Sequence, residues 1–162
     1  MRRRTLLKAG LAGGALLVAG GVAIVAGRDA VRDRDAVLGA VVPALLDGAL
    51  PAEPAARAAA VRGCTEGVVA AIAGLAPASQ AELARLFALL GAAPGRRLLA
   101  GVRAEWADAG VDEVGAFLQA WRRHRFALFR GGYAALHDLV IGTWYADASA
   151  WPAIGYAGPL SL

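Results

Sequence analysis

Glycine and proline fall in clusters that cut this chain into helix-sized lengths: Asp47-Gly48 with Pro51, Gly74 with Pro77, and Gly91 with Pro94. Proline lacks the amide donor that a helix interior needs, and glycine accepts the backbone of a helix end, so such clusters mark boundaries. Between them apolar residues recur at helical spacing, and no stretch alternates as a strand requires. The spacing predicts a first helix over Asp29 to Leu46, whose apolar residues are Val31, Val37, Leu38, Val41, Val42, Leu45 and Leu46, the second half of them at helical spacing after a charged, solvated first turn at 28–35. A second runs from Pro54 to Ala73 on Val61, Val68, Val69 and Ile72, and a third from Pro77 or Ser79 to Gly91 on Leu83, Leu86, Phe87 and Leu90. A short fourth, Gly95 to Asp108, offers Leu98, Leu99, Val102 and Trp106. From Asp112 a long stretch carries Val114, Phe117, Leu118, Trp121, Leu128, Phe129, Leu136, Leu139, Val140 and Trp144. Gly131-Gly132 is expected to kink or divide it, or to admit another backbone. The expected fold class is all-α: a small bundle of four to six helices over residues 28–146, after an N-terminal signal or anchor helix at 1–27.

The charge balance narrows the partners. Of 17 basic residues, Arg2, Arg3, Arg4 and Lys8 lie in the first eight, which leaves thirteen arginines from Arg28 onward. These face all 13 carboxylates, so the body of the chain is close to neutral and gives no electrostatic case for nucleic acid. With 162 residues, 58% of them apolar, the chain can bury one core and does not read as disordered. Cys64 is the single cysteine, so no disulfide closes within the chain. Two readings remain for it, a buried thiol or a bond to a partner chain.

The leader is the most specific signal. Arg3-Arg4-Thr5-Leu6-Leu7-Lys8 precedes an uncharged, glycine-rich run over 9–26, and this resembles a twin-arginine export signal. Paired guanidiniums make fixed, forked contacts to carboxylates that lysines do not reproduce. The blander reading is an ordinary secretory signal or membrane anchor with positive flanks. Glycines through the run lower its hydrophobicity and favour the twin-arginine route. Cleavage sites at Gly21-Val-Ala23 and Val25-Ala-Gly27 are weak, and 9–26 is about the shortest apolar run that crosses a bilayer, so retention and membrane contact stay open.

Catalytic parts are scarce. His124 and His137 are the only histidines, and their spacing is not that of a one-turn metal pair. His124, set among Arg122, Arg123 and Arg125, reads as a polar side chain facing solvent, and His137, beside Asp138, as a structural hydrogen bonder. None of the three serines lies in a nucleophile-elbow sequence, and there is no haem, cluster or flavin-binding motif. Gly91-Ala-Ala-Pro-Gly-Arg-Arg97 lacks the lysine and hydroxyl of a phosphate loop. The arginines from Arg122 to Arg130 read as a solvated helix face, or as a docking patch for an acidic partner or anionic head groups.

The segment 147–162 is irregular yet apolar, with two prolines, two glycines, Trp151, Ile154 and Tyr156. It folds back on the bundle or docks on another protein. Together, Trp121-Arg-Arg-His-Arg, Gly132-Tyr-Ala-Ala-Leu-His-Asp-Leu139, Trp144-Tyr145, Trp151-Pro-Ala-Ile-Gly-Tyr156 and Gly158-Pro159 resemble the gluconate 2-dehydrogenase subunit 3 family. Members of that family are small, twin-arginine-exported subunits that accompany a large flavin dehydrogenase of the glucose–methanol–choline type. The resemblance implies a non-catalytic, chaperone-like subunit that binds the flavoprotein, helps it mature and takes it through the export machinery. It implies no cofactor in this chain, FAD in the partner, and a periplasmic location, free or anchored to the inner membrane. The paired cysteines of some members are missing here. The expected partner interface is Arg122, Arg125, Trp144, Tyr145, Trp151, Ile154 and Tyr156. Two other classes are a stand-alone membrane-anchored structural or regulatory protein, and a small enzyme using His137, Asp138 and Tyr145.

Overall fold

Asp29 opens the first helix by accepting hydrogen bonds from the Val31 and Arg32 amides at 3.0 and 3.1 Å, which satisfies two donors that the first turn leaves unpaired. From there a computed structural model describes residues 29–147. The export signal and Trp151, Ile154 and Tyr156 lie outside the described residues. The elements are α1 (Ala30–Leu45), α2 (Pro54–Ala73), α3 (Pro77–Gly91), a π-helical turn (Gly95–Ala100), α4 (Val111–Arg122) and α5 (Ala127–Ala146). The domain is all-α, and no strand occurs among the described residues. None of these helices is long and apolar enough to cross a membrane.

Helix α1 is the centre of the bundle. It packs against α2, α3, α4 and α5, while α5 also lies along α2 and α4, and the π-helical turn closes against α3. Val37, Leu38, Val41 and Val42 are fully buried, joined by Val68 of α2, Phe87 and Leu90 of α3, Val114 of α4, and Leu136 and Val140 of α5. At roughly 1.5–3 kcal/mol per fully buried aliphatic or aromatic side chain, this cluster is the main source of stability.

Local chemistry explains the helix ends. Glu53 accepts from the Ala55 and Ala56 amides at 2.9 and 2.6 Å, and Pro54 follows it at the first helical position, where the missing N–H costs nothing. Gly101, at φ +73°, ends the π-helical turn in the left-handed region. Two tryptophans then staple the irregular stretch between the turn and α4. Trp106 Nε1 donates to the Leu90 carbonyl and Trp121 Nε1 to the Leu99 carbonyl, both at 2.9 Å. An edge-to-face ladder runs Trp106, Phe117, Trp121, Phe129, with centroids 6.0, 4.9 and 5.3 Å apart.

Three local expectations are corrected. The fourth helix over Gly95 to Asp108 is a π-helical turn that stops at Ala100, because Gly101 reverses the chain. The first turn of α1 is not wholly solvated: Asp33 is buried against Gly91, where an added Cβ would lie 2.5 Å from its carboxylate. The long stretch divides at Arg123–Phe126, not at Gly131-Gly132. Gly132 instead lies within α5 and seats the Trp121 ring, whose nearest carbon would be 2.6 Å from an added Cβ.

Paired glycine substitutions test this packing. Gly132→Ala should cost about 1–3 kcal/mol, because Trp121 is pinned by its Leu99 bond and has nowhere to retreat. Gly115 is inside α4 with open space at its Cβ position, and Gly115→Ala should stabilise by about 0.5–1 kcal/mol. Chemical denaturation of both variants gives the comparison. Equal effects would mean that Trp121 is not held as described.

Candidate functional site

The corner between α4 and α5 is built without glycine or proline. Its residues are Arg123-His-Arg-Phe126, and side chains do the turning. Arg130, in the first turn of α5, sends one guanidinium nitrogen back to the carbonyls of His124 and Arg125 at 2.8 and 2.9 Å. His124 Nδ1 accepts the Phe126 amide at 3.1 Å, which places the imidazole proton on Nε2 for that bond. The imidazole also lies 4.2 Å from the Phe129 ring, which joins the corner to the Trp121 ladder. Arg125 lies over the ring of Phe126, its guanidinium carbon 4.5 Å from the centroid.

What the corner shows to solvent is cationic and aromatic. Phe126 is 52% exposed, and Arg122, Arg123 and Arg125 are exposed. No carboxylate occurs in the sequence from Val114 to His137. Among the described residues, these three guanidiniums have no ion pair. The adjacent π-helical turn exposes Arg97 and Leu98, the latter at 82%.

The other expected interface residues are elsewhere. Trp144 packs partly buried on the core, and Tyr145 is exposed at the C-terminal end of α5. A helix rises 1.5 Å per residue, so about 27 Å of α5 separates them from the arginine corner. The structure therefore brings Arg122 and Arg125 together with Phe126, and puts Trp144 and Tyr145 at the far end.

His137 Nδ1 lies 3.0 Å from Asp138 Oδ1, a contact between chain neighbours, and its ring is tilted against Tyr133 at 5.4 Å. Tyr145 comes two turns later, about 12 Å along the axis. Among the described residues no three His, Cys, Asp or Glu side chains are grouped to hold a metal ion. Cys64 is buried, its sulfur 3.9 Å from the Val140 carbonyl across the α2–α5 contact. That burial pushes its thiol up to about 11.

One polar cluster left no mark in the sequence. Arg96, only 2% exposed, makes a two-pronged ion pair with Glu105, while its Nε has no partner. The pair ties the π-helical turn to the stretch before α4 and borders a cleft of about 630 Å³ with Asp29, Arg32, Asp33 and Trp106. Nine residues separate Arg96 from Glu105, a distance that matches no helical or strand period. Arg96 therefore reads, from sequence, as one more surface arginine beside Arg97.

Two pH limits follow. The hydrogen bond from Arg96 holds the Glu105 carboxyl below the usual glutamate range, and backbone amides do the same for Glu53. Their contribution is full above the unfolded-state pKa and is lost as pH falls through the lower folded values, so the melting temperature should drop in acid. Glu105→Gln should flatten part of that acid limb in thermal melts. Cys64 acts in the opposite direction, because the folded state keeps its proton where the unfolded thiol has released it. Stability should decline as pH rises from about 9 towards about 11. Alkylation at pH 8 should be at least about a hundredfold slower than in denaturant, the factor its raised pKa alone implies. Fast labelling of folded protein would contradict this placement of Cys64.

Compared with models of known protein families, with curated proteins and with solved structures, the chain matches none.

Proposed function

We propose that this chain is a non-catalytic small subunit that binds a large flavin-dependent dehydrogenase, helps it mature and takes it out of the cytoplasm by the twin-arginine route. The observation that carries the reading is the combination, in one short chain, of Arg3-Arg4-Thr5-Leu6-Leu7-Lys8 with the motifs running from Trp121 to Pro159. A route that exports folded cargo suits a protein whose partner must fold around FAD before it leaves. On this reading the flavin belongs to the partner, and the pair works in the periplasm or at the periplasmic face of the inner membrane. The helical domain supports a binding role through its surface. An exposed cationic and aromatic corner is braced from beneath by a buried tryptophan. The competing reading, a stand-alone anchored protein of the cell envelope, rests on the apolar run at 9–26.

Export supplies the test. Replacing Arg3 and Arg4 with lysine keeps the charge and removes the forked geometry. Cell fractionation should then find this chain and the flavoprotein retained together in the cytoplasm. Normal periplasmic accumulation of both would end the co-export reading. A purified chain lacking any flavoprotein companion, with its leader retained in the membrane fraction, would favour the anchored alternative.

A further inference from the structure

The arginine corner has the construction of a preformed recognition surface. Flexible solvated arginines on a helix face need no bracing, yet here Arg130 fastens two consecutive carbonyls and His124 fastens the Phe126 amide. The bracing leaves Arg125 lying across Phe126. Arg122 and Arg123 stand in the last turn of α4 and at its cap, just past buried Trp121. Phe126 stays half exposed although it meets Arg125 and the His124 ring, and three cations held with no ion pair among the described residues repel one another. Both costs are recovered when an anionic partner with an apolar side chain covers the site.

We propose that Arg122, Arg123, Arg125 and Phe126 form a docking surface for an acidic segment of a partner protein. The guanidiniums pair with its carboxylates, and Phe126 receives an apolar side chain set among them. Forked guanidinium–carboxylate bonds need fixed partners on both sides, which a folded or folding peptide provides. A lipid surface would draw on the same charge, but it would use Phe126 by inserting it, and Arg125 lies across that ring. The inference rests on reading the chain as a partner-binding subunit, though it does not depend on the partner being a flavoprotein. It also separates this corner from Trp144 and Tyr145 as an independent contact.

The probe is a labelled peptide of repeated Glu-Glu-Phe, with Glu-Glu-Ser repeats as the charge-matched control. It is titrated into the full-length chain at near-physiological salt, where weak, diffuse charge effects are screened. The expected result is saturable binding that Arg122→Glu/Arg125→Glu weakens by about tenfold or more. Phe126→Ala should erase the preference for the phenylalanine peptide over the serine peptide. Arg62→Glu/Arg85→Glu, which makes the same charge change on exposed parts of α2 and α3, should leave binding intact. Circular dichroism melts establish that each variant folds, and Arg122→Gln/Arg125→Gln replaces the charge reversal if that one does not. Equal loss in the Arg62/Arg85 variant would overturn the proposal, and so would absence of saturable binding. Corner-dependent binding to vesicles containing about one quarter phosphatidylglycerol, with no binding to the peptide, would assign the surface to membrane instead. Loss of flavoprotein co-purification with peptide binding preserved would reject the dehydrogenase partner and leave this surface standing.

Discussion

Helix α1 is enclosed by four other helices, and most features of the domain answer to that enclosure. Along its middle Val37, Leu38, Ala40, Val41 and Val42 are buried, and only Gly39 faces water there, which leaves little room for polarity. The enclosing helices must diverge to cover different sides. Residues 111–146 could not continue as one rod: at 1.5 Å per residue it would be about 54 Å long, well beyond a domain of this size. The break at Arg123–Phe126 lets α4 cover α1 near the π-helical turn while α5 turns away to lie along α2. Covering α1 from two sides thus places the break where the exposed arginine corner stands, and Arg130 and His124 brace it.

Trp121 links that corner to the interior. It bonds the Leu99 carbonyl, meets Phe117 and Phe129 edge-on and rests on Gly132, so it joins the π-helical turn, α4 and α5 in one contact set. Trp106 does the same between α3 and the stretch before α4. Each ring buries a large apolar area while its single N–H finds a carbonyl left over at an irregular segment. The Arg96–Glu105 pair works beside them with charge in place of area. Because one partner is deeply buried and the other open to solvent, its worth lies mainly in not leaving a guanidinium unpaired inside the protein.

Much of the helical plan was legible in the residues. The ends of α1, α2 and α3 follow from Asp29, Pro54, Pro77 and the glycine–proline clusters, since capping and amide loss act over one turn and need no distant partner. Apolar spacing identified the core positions of α3 and of the second half of α1 for the same local reason, while Val31 in the first turn of α1 is exposed. The burial of Cys64 and the hydrogen-bonded state of His137 follow from their residue types and helical surroundings. The leader and tail motifs are properties of the sequence itself, and the functional reading depends on them.

Tertiary structure decided what requires two distant segments to meet. No local signal marks Arg123–Phe126 as a break, because it contains neither glycine nor proline and is set by what α4 and α5 must each cover. Gly131-Gly132 carries the stronger local signal and stays helical, because a helix tolerates glycine at about 1 kcal/mol when a ring fills the space a Cβ would occupy. Asp33 and Arg96 read as solvated charges, and only the packing of α3 and the π-helical turn buries them. The separation of Arg125 from Tyr145 likewise appears only once α5 runs as one unbroken helix between them. The sequence thus determined which residues favour helix, where local chemistry ends it and which motifs the chain bears. The fold determined which charges are buried and which stand clear, because burial depends on neighbours that the chain places many residues away.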